Sequence, residues 1–545
     1  MLSKCGGVLA MFRRMGVVAV LLLLSAHSLA QLQSERFDID RFNVDGNTLL
    51  HPDEIEVVLA PFTGKQRQYR DVQGAIEALG QRYRKEGFSV VWVLAPEQDI
   101  DQGVVTLQVI EARIGEVTIS GNRFFSDANV RSSLPSLKED VSPRIGDLSA
   151  NVQLVNGNPA KQVDVVLRPS EAPAVVDATI EVIDVQPRKF FLTLDNTGNK
   201  QTGDYRLGVG VQHANLYDRD HIGTLSYVTS PESPGQVGLF SGSYRLPLYS
   251  WGDSIDFIAA YSDVSIGTTA TVAGPLTFTG QGTVYSVRYN QLLKRQGEYS
   301  HRIVYGIDYR AFKNECALGD FGEAGCGPTA VDVTTTPISV AYSGNLASLG
   351  TVSDFYIAVS RNIPWAGQGQ SSNFNAARPS PSGGDGASAD YAALRFGAST
   401  VRAFENNWQV QARVNAQLSS NALIFGEQFG ITGATAVRGF RERELVRDIG
   451  LVANLELYSP NLAGRLIPGE GNAKGLLFYD FAVAADQPLD GEDERRITVG
   501  SIGAGFRWNL YRNLNVRFDL ARVVNEGGSR QSGDLHGHIS VFVGF

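Results

Sequence analysis

Methionine is missing from everything after Met15: the chain's three, Met1, Met11 and Met15, sit near the N-terminus, so the mature core is built without it. Cysteine is as scarce, with only Cys5, Cys316 and Cys326. Past Leu24 no apolar run approaches the roughly 20 residues of a spanning helix, so any membrane crossing has to use strands. An excess of positive charge is lacking too, and the formal charge of −9 excludes a broadly basic nucleic-acid binder. No Gly-x-Ser-x-Gly elbow, no His-Glu-x-x-His pair and no phosphate-cradling glycine loop with lysine occurs. An enzyme is therefore not expected, and no cofactor is implied.

What is present begins with an export signal. Lys4, Arg13 and Arg14 precede the apolar run Gly16 to Leu24 and then Ser28-Leu29-Ala30, the pattern of a secretory signal peptide over residues 1–30, cleaved before Gln31. Cys5 lies before the apolar run and leaves with the signal, which argues against a lipoprotein anchor. In an oxidising compartment the remaining Cys316 and Cys326, in a glycine-rich stretch, read as one disulfide closing a surface loop rather than as a metal or redox site.

Two small soluble modules follow, at residues 31–112 and 113–186. In the first, Phe37, Ile39, Phe42 and Val44 run into the turn Asp45-Gly46-Asn47, and Pro52-Asp53-Glu54 opens a helix through Leu59. Val72, Ala75, Ile76, Leu79 and Tyr83 recur on one helical face that Lys85, Glu86 and Gly87 end. Val90 to Leu94 and Val104 to Ile110 supply strands. A similar order returns about 75 residues later. Val117, Ile119 and Gly121-Asn122 echo Val44 and Gly46-Asn47; helices are predicted over Ser126 to Leu134 and Asp147 to Val155, and strands over Val163 to Leu167 and Thr179 to Val185.

From about Pro187 the helical period gives way to alternation. Ile502, Ala504, Phe506, Trp508 and Leu510 interleave with Gly503, Gly505, Arg507 and Asn509; Val516, Phe518 and Leu520 interleave with Asn515, Arg517 and Asp519. Leu451, Ala453, Leu455 and Leu457 alternate with Val452, Asn454, Glu456 and Tyr458 in the same way. A dry sandwich core would not tolerate those polar faces, whereas a barrel with a wet lumen accommodates them. Some 20 to 24 residues per strand and connection gives about sixteen antiparallel strands over residues 187–545. The last strand ends with Ile539, Val541, Val543 and Phe545 on one face and His538, Ser540, Phe542 and Gly544 on the other. His536 and His538 share a face and read as a polar pair, with no metal implied. Ala366 to Asp390, rich in Gly, Ser and Pro, is expected to be a mobile external loop.

Several segments resemble one family. Ala95-Pro96-Glu97-Gln98-Asp99-Ile100 with Gly103, then Val109-Ile110-Glu111-Ala112 and Ile114-Gly115, looks like the first periplasmic POTRA module of two-partner secretion outer-membrane transporters, the haemolysin secretion/activation type of the BamA-like superfamily. Asn156 to Pro159 and Leu167-Arg168-Pro169 resemble the second module. Gly426 to Gly450 is similar to the family's inward-folding signature loop, with Val437-Arg438-Gly439-Phe440 as its tip and Phe440 where many relatives carry Tyr. Gly475 to Asp480 matches the partner strand motif, Phe478-x-Asp480, whose two side chains face the same way. Asp195-Asn196-Thr197-Gly198 and Tyr244-Arg245-Leu246-Pro247-Leu248 are weaker matches to early-barrel patterns.

The resemblance implies α+β POTRA modules followed by a transmembrane antiparallel barrel. Arg438 would contact Asp480, with Phe478 beside the guanidinium, because arginine's planar fork suits both a carboxylate and an aromatic face. The implied function is translocation of an unfolded exoprotein of the adhesin or haemolysin class, with activation as a further capacity. Its implied partners are that exoprotein's N-terminal secretion domain, outer-membrane lipid, and the barrel-assembly machinery that would read Phe545; no nucleic acid is implied, and a monomer is expected. Only Gln31 to Arg36 separate the cleavage site from the first strand, so the N-terminal plug helix of many relatives is not expected. A BamA-like insertase and a diffusion porin remain as alternatives.

Overall fold

The computed structural model of the protein describes residues 36–100, 102–200, 202–263, 267–272, 274–278, 281–313, 331–464, 471–489, 496–510 and 513–545. The expected signal peptide and the Cys316/Cys326 pair lie outside these residues. The chain divides into two compact units, residues 1–113 with 170–175, and residues 114–169 with 176–545.

The first unit contains β1 (Phe37–Ile39), β2 (Arg41–Asp45), α1 (Pro52–Leu59), β3 (Gly64–Arg67), α2 (Tyr69–Lys85), β4 (Val91–Leu94) and β5 (Val104–Glu111). Pro52, Asp53 and Glu54 start α1, where a fixed φ and negative charge suit a helix N-terminus. Asp71 accepts the Gln68 N–H at 2.8 Å to begin α2. The sheet has the order β2-β5-β4, with β2 parallel and β4 antiparallel to β5. Val72, Ala75, Leu79 and Tyr83 of α2 pack with Val105, Leu107 and Val109 of β5 in one core. The short β3, which pairs with β1, was not foreseen from the sequence, since Gly64–Arg67 shows no β-rich run.

A second module opens the other unit: β6 (Arg113–Ser120), α3 (Asp127–Ser133), α4 (Ile145–Val155), β7 (Lys161–Pro169) and β8 (Val175–Asp184). The repeat extends to single atoms. Gly46 and Gly121 have φ of +84° and +89°, and a Cβ on either would lie 2.3 Å from a carbonyl oxygen, of Val109 and Val182 respectively. Only glycine fits there. The amide of Asn47 donates to the Leu50 carbonyl and that of Asn122 to the Phe125 carbonyl, each at 2.9 Å. Glu111 then accepts the N–H groups of Thr48 and Leu49, as Asp184 accepts those of Arg123, Phe124 and Phe125.

The barrel runs through β9 (Arg188–Asp195), β10 (Arg206–Leu216), β11 (His221–Thr229), β12 (Leu239–Leu248) and β13 (Asp253–Ser262), followed by a separate hairpin, β14 (Gly267–Thr271) and β15 (Gly274–Phe278). It continues with β16 (Gln281–Leu292), β17 (Tyr299–Lys313), β18 (Val333–Thr335), β19 (Pro337–Ser348), β20 (Thr351–Asn362), β21 (Ala392–Ala403) and β22 (Gln409–Ser419). After a small pair, β23 (Phe429–Gly430) and β24 (Val446–Arg447), it ends with β25 (Ile449–Tyr458), β26 (Gly471–Ala485), β27 (Arg496–Leu510), β28 (Leu514–Asn525) and β29 (Leu535–Gly544). β18 and β19 both pair with β17 and form one interrupted strand, so sixteen strands close the barrel. Closure is antiparallel between β9 and β29 and is short, running from Ser540↔Asp195 to Gly544↔Phe191, whereas β26 and β27 pair from Gly471↔Leu510 to Ala485↔Arg496.

Alternation sorts the side chains as expected. Arg395, Gln417, Arg413, Asn454, Asp480, Arg507 and Asp519 fall on the lumenal side of consecutive strand pairs, while Leu225, Phe240, Tyr285, Leu455, Leu477, Ile502 and Phe518 are exposed on the outside. Such a band of outward apolar residues is what lipid requires.

The second module is joined to one end of the barrel by a buried cluster. Lys161 Nζ lies 2.6 Å from Asp220 Oδ2, in the β10–β11 turn, and both side chains are almost wholly buried. Lys161 also donates to Asn129 Oδ1 at 2.7 Å, Asn129 donates to Asp220 Oδ1 at 3.1 Å, and Tyr249, in the β12–β13 turn, donates to Asp220 Oδ2 at 2.5 Å. The ammonium sits 5.0 Å from the Phe125 ring centroid. Burial outweighs Asp220 and holds Lys161 below its usual pKa, and burial with Asp220 alongside pushes the Tyr249 phenol far up. Asn151 and Asn158 add bonds to the carbonyls of Tyr249 and Ala214, both at 2.7 Å. The end of the barrel that carries this module is called proximal below, and the other distal.

Candidate functional site

The β22–β25 connection, residues 420–448, leaves the distal end and folds back into the lumen. β23 and β24 pair as its stem, Ile431 N–H donates to the Leu445 carbonyl at 3.0 Å, and Gly433 (φ +127°) and Gly439 (φ +99°) supply the left-handed turns that bend the tip. At Gly439 an added Cβ would also press on Val523 at 3.3 Å and Ala521 at 3.4 Å. The tip therefore lies flat against the wall formed by β27 and β28.

Arg438 is the centre of the contact. Its Nε and one terminal nitrogen each donate at 2.7 Å to the two oxygens of Asp480, and its backbone N–H adds a third bond at 3.1 Å. The other terminal nitrogen is 2.8 Å from Glu456 and 3.6 Å from Asp519. The guanidinium carbon stands 3.5 Å from the Phe478 ring centroid. Asn454 links Asp480 (2.8 Å) to the Ala436 carbonyl (2.8 Å), and His538 Nε2 accepts the Gly439 N–H at 3.2 Å. The imidazole of His538 is thus a polar anchor for the loop, with His536 edge-on to it at 4.8 Å. On either side of Arg438, Val437 and Phe440 are fully buried with Ile431, Leu445, Val452, Ala482 and Val499. Phe440 makes an apolar contact where a tyrosine hydroxyl would need a partner.

Two carboxylates pin the base of the loop. Glu427 meets Arg310 at 2.9 Å and Arg395 at 3.4 Å, and accepts from Thr335 at 3.2 Å. Asp448 meets Arg378 at 2.7 Å and accepts the Leu423 and Gln487 N–H groups at 3.0 and 2.8 Å. Arg378 belongs to the segment that the sequence reading made a mobile external loop. The segment is a distal connection, as expected, but it is packed rather than free: a helix, α5 (Ser371–Ala377), forms there and buries Phe374 with Ala387, Ala389, Tyr391, Leu423 and Ile424. Apolar anchors spaced through a Gly/Ser/Pro-rich sequence suffice to pack it across the distal mouth. A second connection also turns inward, because β14 of the hairpin β14/β15 leans on the lumenal faces of β11 and β12, and the Val272 carbonyl accepts from Arg245 (3.0 Å) while its N–H donates to the Ser243 hydroxyl (2.8 Å).

The residues read as motifs thus divide. Val437, Arg438, Gly439, Phe440, Phe478 and Asp480 meet in one place. Arg245 pairs instead with Asp256 at 2.6 Å, on the opposite wall. Asn196 extends the closing seam beyond its backbone ladder, its side chain bonding Gly537 O at 2.8 Å and Ile539 N–H at 2.9 Å. Phe545 exchanges two backbone bonds with Phe190 while its ring remains exposed. Sequence reading assigned no role to Glu456, Asp519, Asn454 or the arginines at the loop base. Glu456 and Asp519 had appeared on polar strand faces, yet only strand register shows that they face Arg438.

The sequence profile of the haemolysin secretion/activation protein family ShlB/FhaC/HecB matches residues 177–507, and that of the ShlB-type POTRA domain matches residues 37–112. The chain is 21% identical over 501 residues to the outer membrane transporter CdiB of Dickeya dadantii (strain 3937), covering 90% of this chain and 84% of that one. It is 25% identical over 166 residues to the heme/hemopexin transporter protein HuxB of Haemophilus influenzae, a match spanning 30% of this chain and 29% of that protein. The structure of CdiB from Escherichia coli superposes with a TM-score of 0.74 at 18% identity, covering 95% of this chain and 92% of that one, a likeness of fold.

Proposed function

The chain belongs to the haemolysin secretion/activation protein family ShlB/FhaC/HecB, outer-membrane transporters of the two-partner type, and from that premise we propose that it receives one unfolded exoprotein in the periplasm and passes it through its barrel under control of the Arg438 loop. The protein resides in the outer membrane with its N-terminal POTRA module in the periplasm. The proximal end of the barrel is accordingly the periplasmic one.

In this reading the modules capture the exoprotein's N-terminal secretion domain. The outer strands β2 and β4 of the first sheet leave one edge each unpaired within that sheet, and strand addition to such an edge gives sequence-tolerant main-chain bonding. We take the partner to be of the adhesin or haemolysin class and to emerge in active form. Folding outside the cell favours outward movement, so the chain needs no nucleotide. The transporter works as a monomer, and the barrel-assembly machinery reads Phe545 during its insertion.

One observation carries the proposal: a loop from the outer end of the barrel reaches into the lumen and is latched there by an arginine held between three carboxylates. A diffusion pore has no use for such a latch. The test is to delete the gene in its native host and compare surface, medium and periplasmic proteins by mass spectrometry, complementing with wild type and Arg438→Ala. Loss of one large exported protein from the surface, with its retention in the periplasm, is expected for the deletion and for Arg438→Ala. A general fall in outer-membrane proteins would instead establish the insertase, and unchanged protein distribution would leave a porin.

A further inference from the structure

Charge in the lumen is distributed unevenly. In the β12–β16 wall, cations and carboxylates alternate across strands, as in Arg245↔Asp256↔Arg288. The loop base and tip are likewise neutralised, by Glu427, Asp448, Asp480 and Glu456. Towards the periplasmic mouth of the opposite wall this stops. Lys474 stands directly across from Arg507, and Arg507 directly across from Arg517. Like charges in opposed positions destabilise a sheet, and only Arg507 has relief, from Asp519 at 2.8 Å. Lys474 donates to the neutral Gln409 at 2.7 Å. Among the described residues Arg413 and Arg517 have no carboxylate within ion-pair distance.

These side chains do not point into bulk water at random. They line one polar cavity of about 710 Å³ beneath the loop tip, with Arg438 at its inner side, Glu456 its one carboxylate, and Gln409, Asn472, Asn509 and Asn515 around them. Arg413 also lines a neighbouring cavity of about 800 Å³, together with Arg302, the carboxylate of Asp354 and Gln153 of the second module. A row of spare cations in a recess walled by protein focuses the field and concentrates anions.

We propose that this periplasmic vestibule is an anion site that holds the carboxylates of acidic segments in the polypeptide being transported. The inference rests on the reading of the protein as a polypeptide transporter and adds a preference of substrate: stretches rich in Asp and Glu are retained beneath the latch, and stretches rich in Lys and Arg are repelled. The asparagines and glutamines around the cations serve extended backbone of any sequence, so the charge selects while the amides tolerate.

The test titrates fluorescein-labelled deca-glutamate and deca-lysine with the detergent-solubilised full chain and reads anisotropy. Wild type is expected to prefer deca-glutamate by about tenfold or more at about 50 mM salt and to lose the preference at about 500 mM. Lys474→Gln/Arg517→Gln should weaken deca-glutamate binding by about tenfold, and Arg517→Glu should shift the preference towards deca-lysine. Folding of each variant is checked by heat-modifiable gel migration. Should the double variant fail to fold, Arg517→Glu still decides, because the exposed Arg517 side chain has no hydrogen-bond partner among the described residues to lose. Equal binding of the two peptides by wild type, or a preference unchanged in folded Arg517→Glu, overturns the proposal. Because the readout is peptide binding, it can fail while the export experiment succeeds, and the reverse.

Discussion

Two buried cations each join parts of this chain that are far apart in sequence, and their chemistry differs. Arg438 fixes a loop tip to the barrel wall through two parallel bonds to Asp480, with Glu456, Asp519 and the Phe478 face completing its surroundings. Lys161 fixes the second module to the barrel turns through the one carboxylate of Asp220, while Asn129 and Phe125 of its own module complete its surroundings. Arginine's planar fork fixes direction as well as distance, whereas lysine supplies a point charge on a flexible stem. The difference fits the two tasks. The loop must be held in one orientation inside a wide lumen, and the module is already positioned by Asn129, Asn151 and Asn158.

Substituting each cation separates these roles. The largest effect is expected for Arg438→Ala, which leaves Asp480 and Glu456 facing one another without their cation while Asp519 keeps Arg507; breaking a buried pair costs about 3 to 5 kcal/mol. Export should fall to background while heat-modifiable, membrane-inserted protein remains detectable. Arg438→Lys should recover little, because the second parallel bond is lost. Normal export by either variant would sink the latch.

Lys161→Met comes next. It strands Asp220 and should lower the stability of the purified protein by an amount of similar order, about 3 kcal/mol, read as a fall in its melting midpoint. Lys161→Met/Asp220→Leu should restore most of it, since apolar replacement of a whole buried pair is often neutral. A double variant no more stable than the single one would show that Asn129 and Tyr249 need the charge.

The asymmetry between the nodes also explains what could be read from the sequence. Arg438 was found because both halves of its contact, Val437 to Phe440 and Phe478-x-Asp480, match short motifs of the family that the sequence resembles, which implies the contact. The barrel, the helical faces of Val72 to Tyr83 and the echo of Gly46 in Gly121 were legible for another reason, being periodic or repeated. Lys161 and Asp220 belong to no pattern, and only the folded path of β7 against the β10–β11 turn brings them together. Glu456 and Asp519 needed strand register. The segment 366–390 misled because its composition hides the spacing of Phe374, Arg378 and Tyr391, and composition carries no information about which few residues pack.

Phe545 offers a milder contrast, between a residue of assembly and the residues of transport. Its ring is exposed and its backbone alone engages Phe190. Phe545→Ala keeps both backbone bonds, so the inserted protein should melt as wild type does, while the amount reaching the outer membrane falls several-fold. Equal insertion with reduced export would place Phe545 in transport instead.

The smallest effect concerns pH. Burial holds Lys161 below the usual 10.5 in the folded protein, so over the interval between that lowered value and 10.5 the unfolded chain binds more protons. Stability therefore rises with pH across that window, in the sense opposite to a lysine whose pKa a partner has raised. The difference in melting midpoint between wild type and Lys161→Met should widen as pH climbs through it, and a difference that stays flat or narrows would contradict the sign. The direction also says what the buried ammonium is for. Asp220 does not fully offset the cost of removing Lys161 from water, so the pair contributes placement of the second module more than net stability, just as Arg438 contributes placement of the loop.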